Sequence, residues 1–209
     1  MKKIALFGYS GHGFVVAEAT LLSGHHLAGY CDISEVTYNP FSLTYLGSEQ
    51  DNTVLGNLSV IAEAAVIGIG NNAIRRQVFD LLQRQGLAVA VIQHPAARVS
   101  AYATIGAGTF IAAGAVINPL AAIGAGVIAN TGCIVEHECK IGDFAHIAPG
   151  AVLAGNVTVG QNAFIGANAV VKQGIMIGDN VTIGAGSVVL NDIPDNEIWA
   201  GNPAKKLQK

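Results

Sequence analysis

At 209 residues the chain is long enough for one domain or two small ones, with a sizeable core. Charged residues make up only 12% and the net charge is −3, so the sequence carries no basic footprint for nucleic acid. Three cysteines (Cys31, Cys133 and Cys139) without a secretion signal point to a reduced, cytoplasmic protein, since the apolar stretch behind Lys2-Lys3 runs only from Ile4 to Phe7.

The first part of the chain alternates strand-like and helix-like patches. "KKIALFG" predicts a buried strand, "GYSGHG" (Gly8 to Gly13) a turn, and "FVVAEATLLSG" a helix ending at Gly24. "HHLAGYCD" predicts a second strand ending at Asp32, and the polar stretch 33–53 takes no clear assignment. "AAVIGIG" predicts a third strand, "NNAIRRQVFDLLQRQG" an amphipathic helix closed by Gly86, and "AVAVIQHP" a fourth strand. This alternation predicts a small Rossmann-like α/β domain with a parallel sheet over residues 1–95.

A second domain, residues 96–209, follows a different period. All but Ala129 of the residues at every sixth position from Ile105 to Val189 are Ile, Val or Leu. A small or branched residue, such as Thr109, Ala115, Cys133 or Ala145, stands two places before most of these anchors. Ile105-Gly106, Ile123-Gly124, Ile141-Gly142, Val159-Gly160 and Ile177-Gly178 recur every eighteen residues. Three hexads per lap predict a triangular solenoid whose coils stack about 4.8 Å apart, a parallel β-helix of about five coils. Gly and Asn are expected at its corners, where positive φ is needed. No Asp, Glu, Lys, Arg or His occurs from Val99 to Val135, but the density of Gly, Asn and Pro excludes a membrane-spanning helix there.

Two sets of polar residues stand out. The turn "GYSGHG" and the segment "GIGNN" (Gly68 to Asn72) each follow a strand and open a helix, a context that favours phosphate. The spacing G-x-x-G-x-G differs from the dinucleotide fingerprint, so a nucleotide-type ligand is expected rather than NAD. Asp32 ends the second strand on the same carboxyl edge, where it can accept from a ribose or base. In the solenoid, His137, Glu138 and His146 are nearly isolated in a tract poor in charge. The period-two alternation points His146 outward and puts His137 near a corner. The two are too far round the coil to meet within one chain, and would meet only across a three-fold interface. Two solenoid histidines fall short of the three that hold zinc in some trimeric β-helices, and Cys133 and Cys139 occupy inward core slots, so no metal is expected.

The turn "SGHG", the segment "GNN-IR", the run "HEC-IG-(D/E)-x-x-H" followed by "AGNV", and "GNPAK" near the end occur together in this order. The combination resembles bacterial nucleotide-sugar acetyltransferases, including bacillosamine-pathway UDP-4-amino-sugar N-acetyltransferases, a family often labelled sialic-acid O-acetyltransferase-like. The resemblance implies a left-handed β-helix, a homotrimer, acetyl-CoA as co-substrate and a nucleotide-linked, UDP-type amino sugar as acceptor. It implies that His137 is the general base, that Glu138 raises its basicity, and that His146 meets the acetyl-CoA. Gly155, Ala167 and Ala185 match its coenzyme positions, while Ser10, Gly11, His12, Asp32, Ile33 and Gly70 match its nucleotide-sugar pocket. Ile33 stands where some relatives carry a second Asp, and Tyr9 adds bulk to the turn. Two other activities remain open at this point: O-acetylation of a sialic-acid-type sugar, and a trimeric scaffold that binds nucleotide sugars without catalysis.

Overall fold

The computed structural model describes residues 2–207, which fall into two compact units that divide between Pro95 and Ala96. The first unit runs β1 (Lys3–Phe7), α1 (Gly11–Leu22), β2 (His26–Cys31), β3 (Tyr45–Gly47), α2 (Asn52–Ile61), β4 (Ala64–Ile67) and α3 (Asn72–Arg84). Its sheet has the order β3-β2-β1-β4 with every pair parallel. The central strand β1 buries Ile4, Ala5 and Leu6 completely, as a strand covered on both faces must. Both α1, through Val16, Ala17 and Ala19, and α3, through Val78, Phe79 and Leu82, add to the core. Strand order reverses between β1 and β4, and the loops after β1, β2 and β4 all leave from carboxyl ends. That is where ligands bind in open α/β sheets.

The segment "AVAVIQHP" is not the fourth strand of this sheet. It makes one isolated parallel bridge, Val89 to Ala65, and its only regular element, Ile92–Gln93, lies outside the four strands. The fourth strand is β3, at the far edge, within the stretch left unassigned by sequence. The helix α2 was also hidden: it contains Gly56, Asn57 and Ser59, and among its described side chains only Leu55 and Leu58 are well buried. Asp51 starts it by accepting from the Thr53 amide at 2.8 Å.

The second unit is a left-handed parallel β-helix of two-residue strands. Its first face carries Thr104–Ile105, Ala122–Ile123, Lys140–Ile141, Thr158–Val159 and Met176–Ile177. The second carries Phe110–Ile111, Ile128–Ala129, His146–Ile147, Phe164–Ile165 and Thr182–Ile183, continued by Ile198–Ala200 and an antiparallel Lys205–Lys206. The third carries Arg98–Val99, Val116–Ile117, Ile134–Val135, Val152–Leu153, Val170–Val171 and Val188–Val189. Anchors and their small partners two places earlier fill the axis, including Cys133 and Cys139, both fully buried. The outward column of the third face starts at Arg98 and is apolar from Val116 through Ile134, Val152 and Val170 to Val188, with Val170 42% exposed.

Corners recur with the same period. Every sixth residue from Gly108 to Gly186 has positive φ. The glycines that recur every eighteen residues are not at these positive-φ positions and have a different reason. At the corner between first and second faces, a Cβ on Gly142 would lie 2.6 Å from the Gln161 nitrogen. A Cβ on Gly124 or Gly178 would collide with the Oδ1 of Asp143 or Asp195 from the next coil. Those carboxylates tie coils together: Asp143 accepts from Ala125 N–H at 2.8 Å and Asp179 from Gln161 N–H at 2.9 Å.

Replacing Gly142 by Ala should therefore cost about 1–3 kcal/mol, because backbone on the next coil cannot move aside cheaply. Gly11→Ala, which meets nothing within 4 Å, should leave stability unchanged or raise it slightly. Urea unfolding of the two variants checks the contrast.

Candidate active site

His137 and Glu138 form the corner between the third and first faces. All the other positive-φ corners from Gly108 to Gly186 are Gly or Asn except Leu120 and Phe144. Glu138 has φ 62°, a conformation that costs a residue with a β-carbon on the order of 1 kcal/mol or more. It is held by its own N–H donating to Pro119 O at 3.2 Å, while His137 O accepts from Asn156 N–H at 2.8 Å. The bend turns the Glu138 carboxylate onto His137, with Oε2 3.0 Å from Nδ1. Both side chains are about half exposed, at 49% and 56%. With Nδ1–H donating to the carboxylate, Nε2 is left as the acceptor.

Gly155 lies one lap further on, against the His137 ring. A Cβ there would sit 2.6 Å from both Cε1 and Nε2 of His137. The missing side chain is what lets the imidazole lie where it does. Ala167 and Ala185 occupy a different corner, between the second and third faces, where Gly186 N–H donates to Ala167 O. In one chain the whole third face separates them from His137.

His146 does alternate outward from the core, yet only 8% of it is exposed. Its Nε2 is 3.0 Å from Asn130 Nδ2, and its ring meets Phe164 edge-on at 5.1 Å. Asn130 was not singled out by sequence; its place sixteen residues before His146, nearly one lap, was the available signal. No cysteine is poised as a nucleophile. Burial pushes the thiols of Cys31 and Cys133 up to about 12, and raises that of Cys139, which donates to Ala154 O at 3.2 Å. Among the described residues no group of three or more His, Cys, Asp or Glu side chains is arranged to hold a metal ion.

In the first unit, the loops at the sheet's carboxyl edge come together through glycine. A Cβ on Gly68 would lie 2.5 Å from Gly8 O and 2.6 Å from Gly13 Cα, so these three glycines are needed for backbone to touch backbone. Gly11 and Gly70 lie on the open side: nothing meets Gly11, and only His12 Cβ, at 3.9 Å, approaches Gly70. Ser10 precedes α1 without its side chain capping the helix. Asp32 is half-buried and clamps two amides, accepting from Tyr9 N–H through Oδ2 and from Ile33 N–H through Oδ1, each at 2.8 Å. Ile33 itself is 67% exposed.

Tyr9 does not add bulk to this pocket. Its ring is buried against Tyr30 at 4.5 Å and Phe14 at 5.0 Å. Its hydroxyl donates to Asn39 Oδ1 at 2.9 Å and accepts from Phe41 N–H at 3.1 Å. Tyr9 thus pins the loop of residues 33–44, which Asn39 also ties to Leu43. Arg75, on α3, is another residue that spacing alone did not reveal: it is 1% exposed and bonded to the turn after β4.

Comparison with known proteins follows from this geometry. Residues 3–82 match the family described as the PglD N-terminal domain, and residues 156–191 match the hexapeptide repeat of succinyl-transferase. The acetyltransferase domain of PglB from Neisseria gonorrhoeae, solved with acetyl coenzyme A, is 37% identical. That match covers 98% of each chain at a TM-score of 0.92. PerB from Caulobacter crescentus, solved with CoA and GDP-perosamine, is 31% identical over 99% of this chain and 97% of its own, at 0.92. WeeI from Acinetobacter baumannii is 26% identical over 98% and 99%, at 0.77. No curated protein sequence matches the chain.

Two outcomes test the site. Gly155→Ala should push the His137 ring aside and lower kcat at least tenfold, with the fold intact by circular dichroism. The second concerns His12. Burial, and then nearby Arg75, lowers its imidazole from 6.5 to about 4. The unfolded chain therefore binds the extra proton first. Stability is full above pH 6.5 and falls, by up to about 3 kcal/mol, as the pH drops toward 4. Unfolding free energies between pH 7.5 and 4.5 should show this slope, flattened in His12→Asn.

Proposed function

The chain belongs to the nucleotide-sugar acetyltransferases built on hexapeptide repeats, and from that premise we propose that it moves the acetyl group of acetyl-CoA onto the 4-amino group of a UDP-linked amino sugar. The observation that carries this reading is the His137–Glu138 pair. An imidazole whose Nδ1 faces a carboxylate at 3.0 Å leaves Nε2, on the ring edge beside Gly155, to act as the base. The neutral amine attacks the thioester carbonyl, forming the C–N bond. His137 takes the proton that the nitrogen sheds. As the tetrahedral centre collapses, the C–S bond breaks and the thiolate of CoA leaves, to be protonated by the imidazolium. Backbone N–H groups of the coils supply donors for the oxyanion. With the cysteines buried and their thiols raised, transfer is direct, through a ternary complex. No acyl-enzyme is formed.

The solenoid supports a three-fold assembly for this chemistry. Packing the apolar third face around a three-fold axis sets each molecule's His137 corner beside the Ala167 and Ala185 corner of its neighbour. Coenzyme positions split between two edges of one chain then belong to one crevice between two copies, with His146 and Gly155 at its sides. The nucleotide part is assigned to Ser10, Gly11, His12, Asp32, Ile33 and Gly70 in the first unit. Its support is the open side of the glycine turns at the point where strand order reverses.

The test is an assay of purified protein with acetyl-CoA and UDP-, dTDP- and GDP-linked 4-amino sugars. His137→Ala should lower kcat by at least a hundredfold with little change in either KM. The product should keep its acetyl group in mild alkali, as an amide does. Loss of the group would mean ester formation, and turnover unaffected by the substitution would remove His137 from the mechanism.

A further inference from the structure

Arg75 sits on the second turn of α3 and its side chain runs back under the loop that precedes the helix. One guanidinium nitrogen, Nη1, donates to Ile69 O at 3.2 Å and to Gly70 O at 3.0 Å; the other, Nη2, donates to Asn72 Oδ1 at 2.9 Å. The residue is 1% exposed. These are two consecutive backbone carbonyls and one side-chain amide, all neutral oxygens. Asn71 fixes the same turn from the other side, its Oδ1 accepting from Ile74 N–H at 3.0 Å.

The pinned carbonyls have a geometric consequence. In a trans peptide the N–H points opposite to the C=O. With Ile69 O and Gly70 O both drawn to the guanidinium, the amides of Gly70 and Asn71 are turned away from it. The nearest atom to a Cβ placed on Gly70 is His12 Cβ, at 3.9 Å, on the turn after β1. Gly70 therefore looks across the cleft between the two carboxyl-edge turns. Successive amides oriented alike form an anion-binding concavity, and a fully buried guanidinium directly behind them adds a positive charge that solvent screens little.

We propose that Arg75 is a positioning residue for the nucleotide diphosphate, aligning the Gly70 and Asn71 amides and supplying the charge behind them. The inference rests on the nucleotide-sugar reading above. It deepens that reading by assigning the recognition of the diphosphate to a buried cation acting through backbone amides. Burial lowers the guanidinium only to about 10, so it is protonated at neutral pH. Arg75 touches neither substrate, and its effect should appear in diphosphate affinity and nowhere else in the reaction.

The experiment measures binding to the full-length protein by calorimetry, using UDP, dTDP and GDP together with their parent nucleosides. KM for acetyl-CoA is followed in the same variants. Arg75→Met should weaken the preferred diphosphate at least tenfold while changing the nucleoside by less than threefold. Arg75→Lys, which keeps the charge but cannot reach three acceptors in a plane, should fall between Met and wild type. KM for acetyl-CoA should stay within twofold in both. Equal weakening of diphosphate and nucleoside, or diphosphate binding like wild type, would overturn the role given to Arg75. Should Arg75→Met fail to fold, Arg75→Lys and Asn72→Ala carry the same comparison, Asn72→Ala removing one anchor of the guanidinium. If wild-type protein binds none of the nucleotides, it is the nucleotide-sugar reading that fails; a nucleotide-binding wild type with indifferent variants defeats the Arg75 role alone.

Discussion

A chain that turns a corner every six residues must pass through left-handed backbone once per hexad, and the whole solenoid obeys this constraint. Gly and Asn meet it nearly everywhere from Gly108 to Gly186. Because the corners fall in phase, the sides between them are short, straight and stacked in register. Every coil then closes its hydrogen bonds on the next, as from Val116 N–H to Cys133 O and from Ile134 N–H to Ala151 O. Inward positions can be no larger than the axis allows, which is why Ala, Cys and Val alternate with Ile and Leu in the core. Where the corner residue is Glu138, the same backbone requirement becomes a chemical device. A residue that gains nothing from positive φ is held there by the lattice of coils around it, and its carboxylate is thereby fixed against His137.

Stacking also decides the neighbours of a functional side chain. In a globular loop they come from anywhere in the sequence; here they come from one lap before or after. Gly155 makes room for His137, Phe164 packs on His146, and Leu120 repeats the strained corner above Glu138. The imidazoles are thus carried by a stacked column of coils, and on the proposed reading a site preorganised in this way loses little free energy to reorientation during reaction. The apolar third face follows from the same logic, since a solenoid has no second layer of its own to cover an outward aliphatic column.

The solenoid was legible in sequence because each element repeats; an error at one hexad is corrected by the next. The inward slots of Cys133 and Cys139 could be read from period alone, as could the outward direction of His146. Its burial could not, since that depends on Asn130 and Phe164 lying against it. The first unit offered no such redundancy. "AVAVIQHP" has the composition of a strand but leaves the sheet after one bridge, whereas Tyr45–Gly47 pairs with β2 although it is only three residues long and set in a polar stretch. Tyr9 looked like a pocket residue because it stands in a glycine turn; Tyr30 and Asn39, distant in sequence, draw it into the core together with Phe14 on the following helix. One signal was present in the sequence: of the three residues that replace Gly or Asn in the corner slot, Leu120, Glu138 and Phe144, only Glu138 carries a charge.

The two units use their polar residues in opposite ways. In the solenoid, His137 and Glu138 present side-chain atoms to solvent. In the first unit, Asp32, Asn39, Asn71 and Arg75 all spend their hydrogen bonds on backbone or on one another's neighbours, shaping loops rather than facing outward. On the proposed reading, a pocket made from oriented amides recognises the charge and shape of a diphosphate, which UDP-, dTDP- and GDP-linked sugars share. On that reading, choice among bases would fall to side chains beyond those turns, and the loop of residues 33–44, whose course is pinned by the buried hydroxyl of Tyr9, is the candidate.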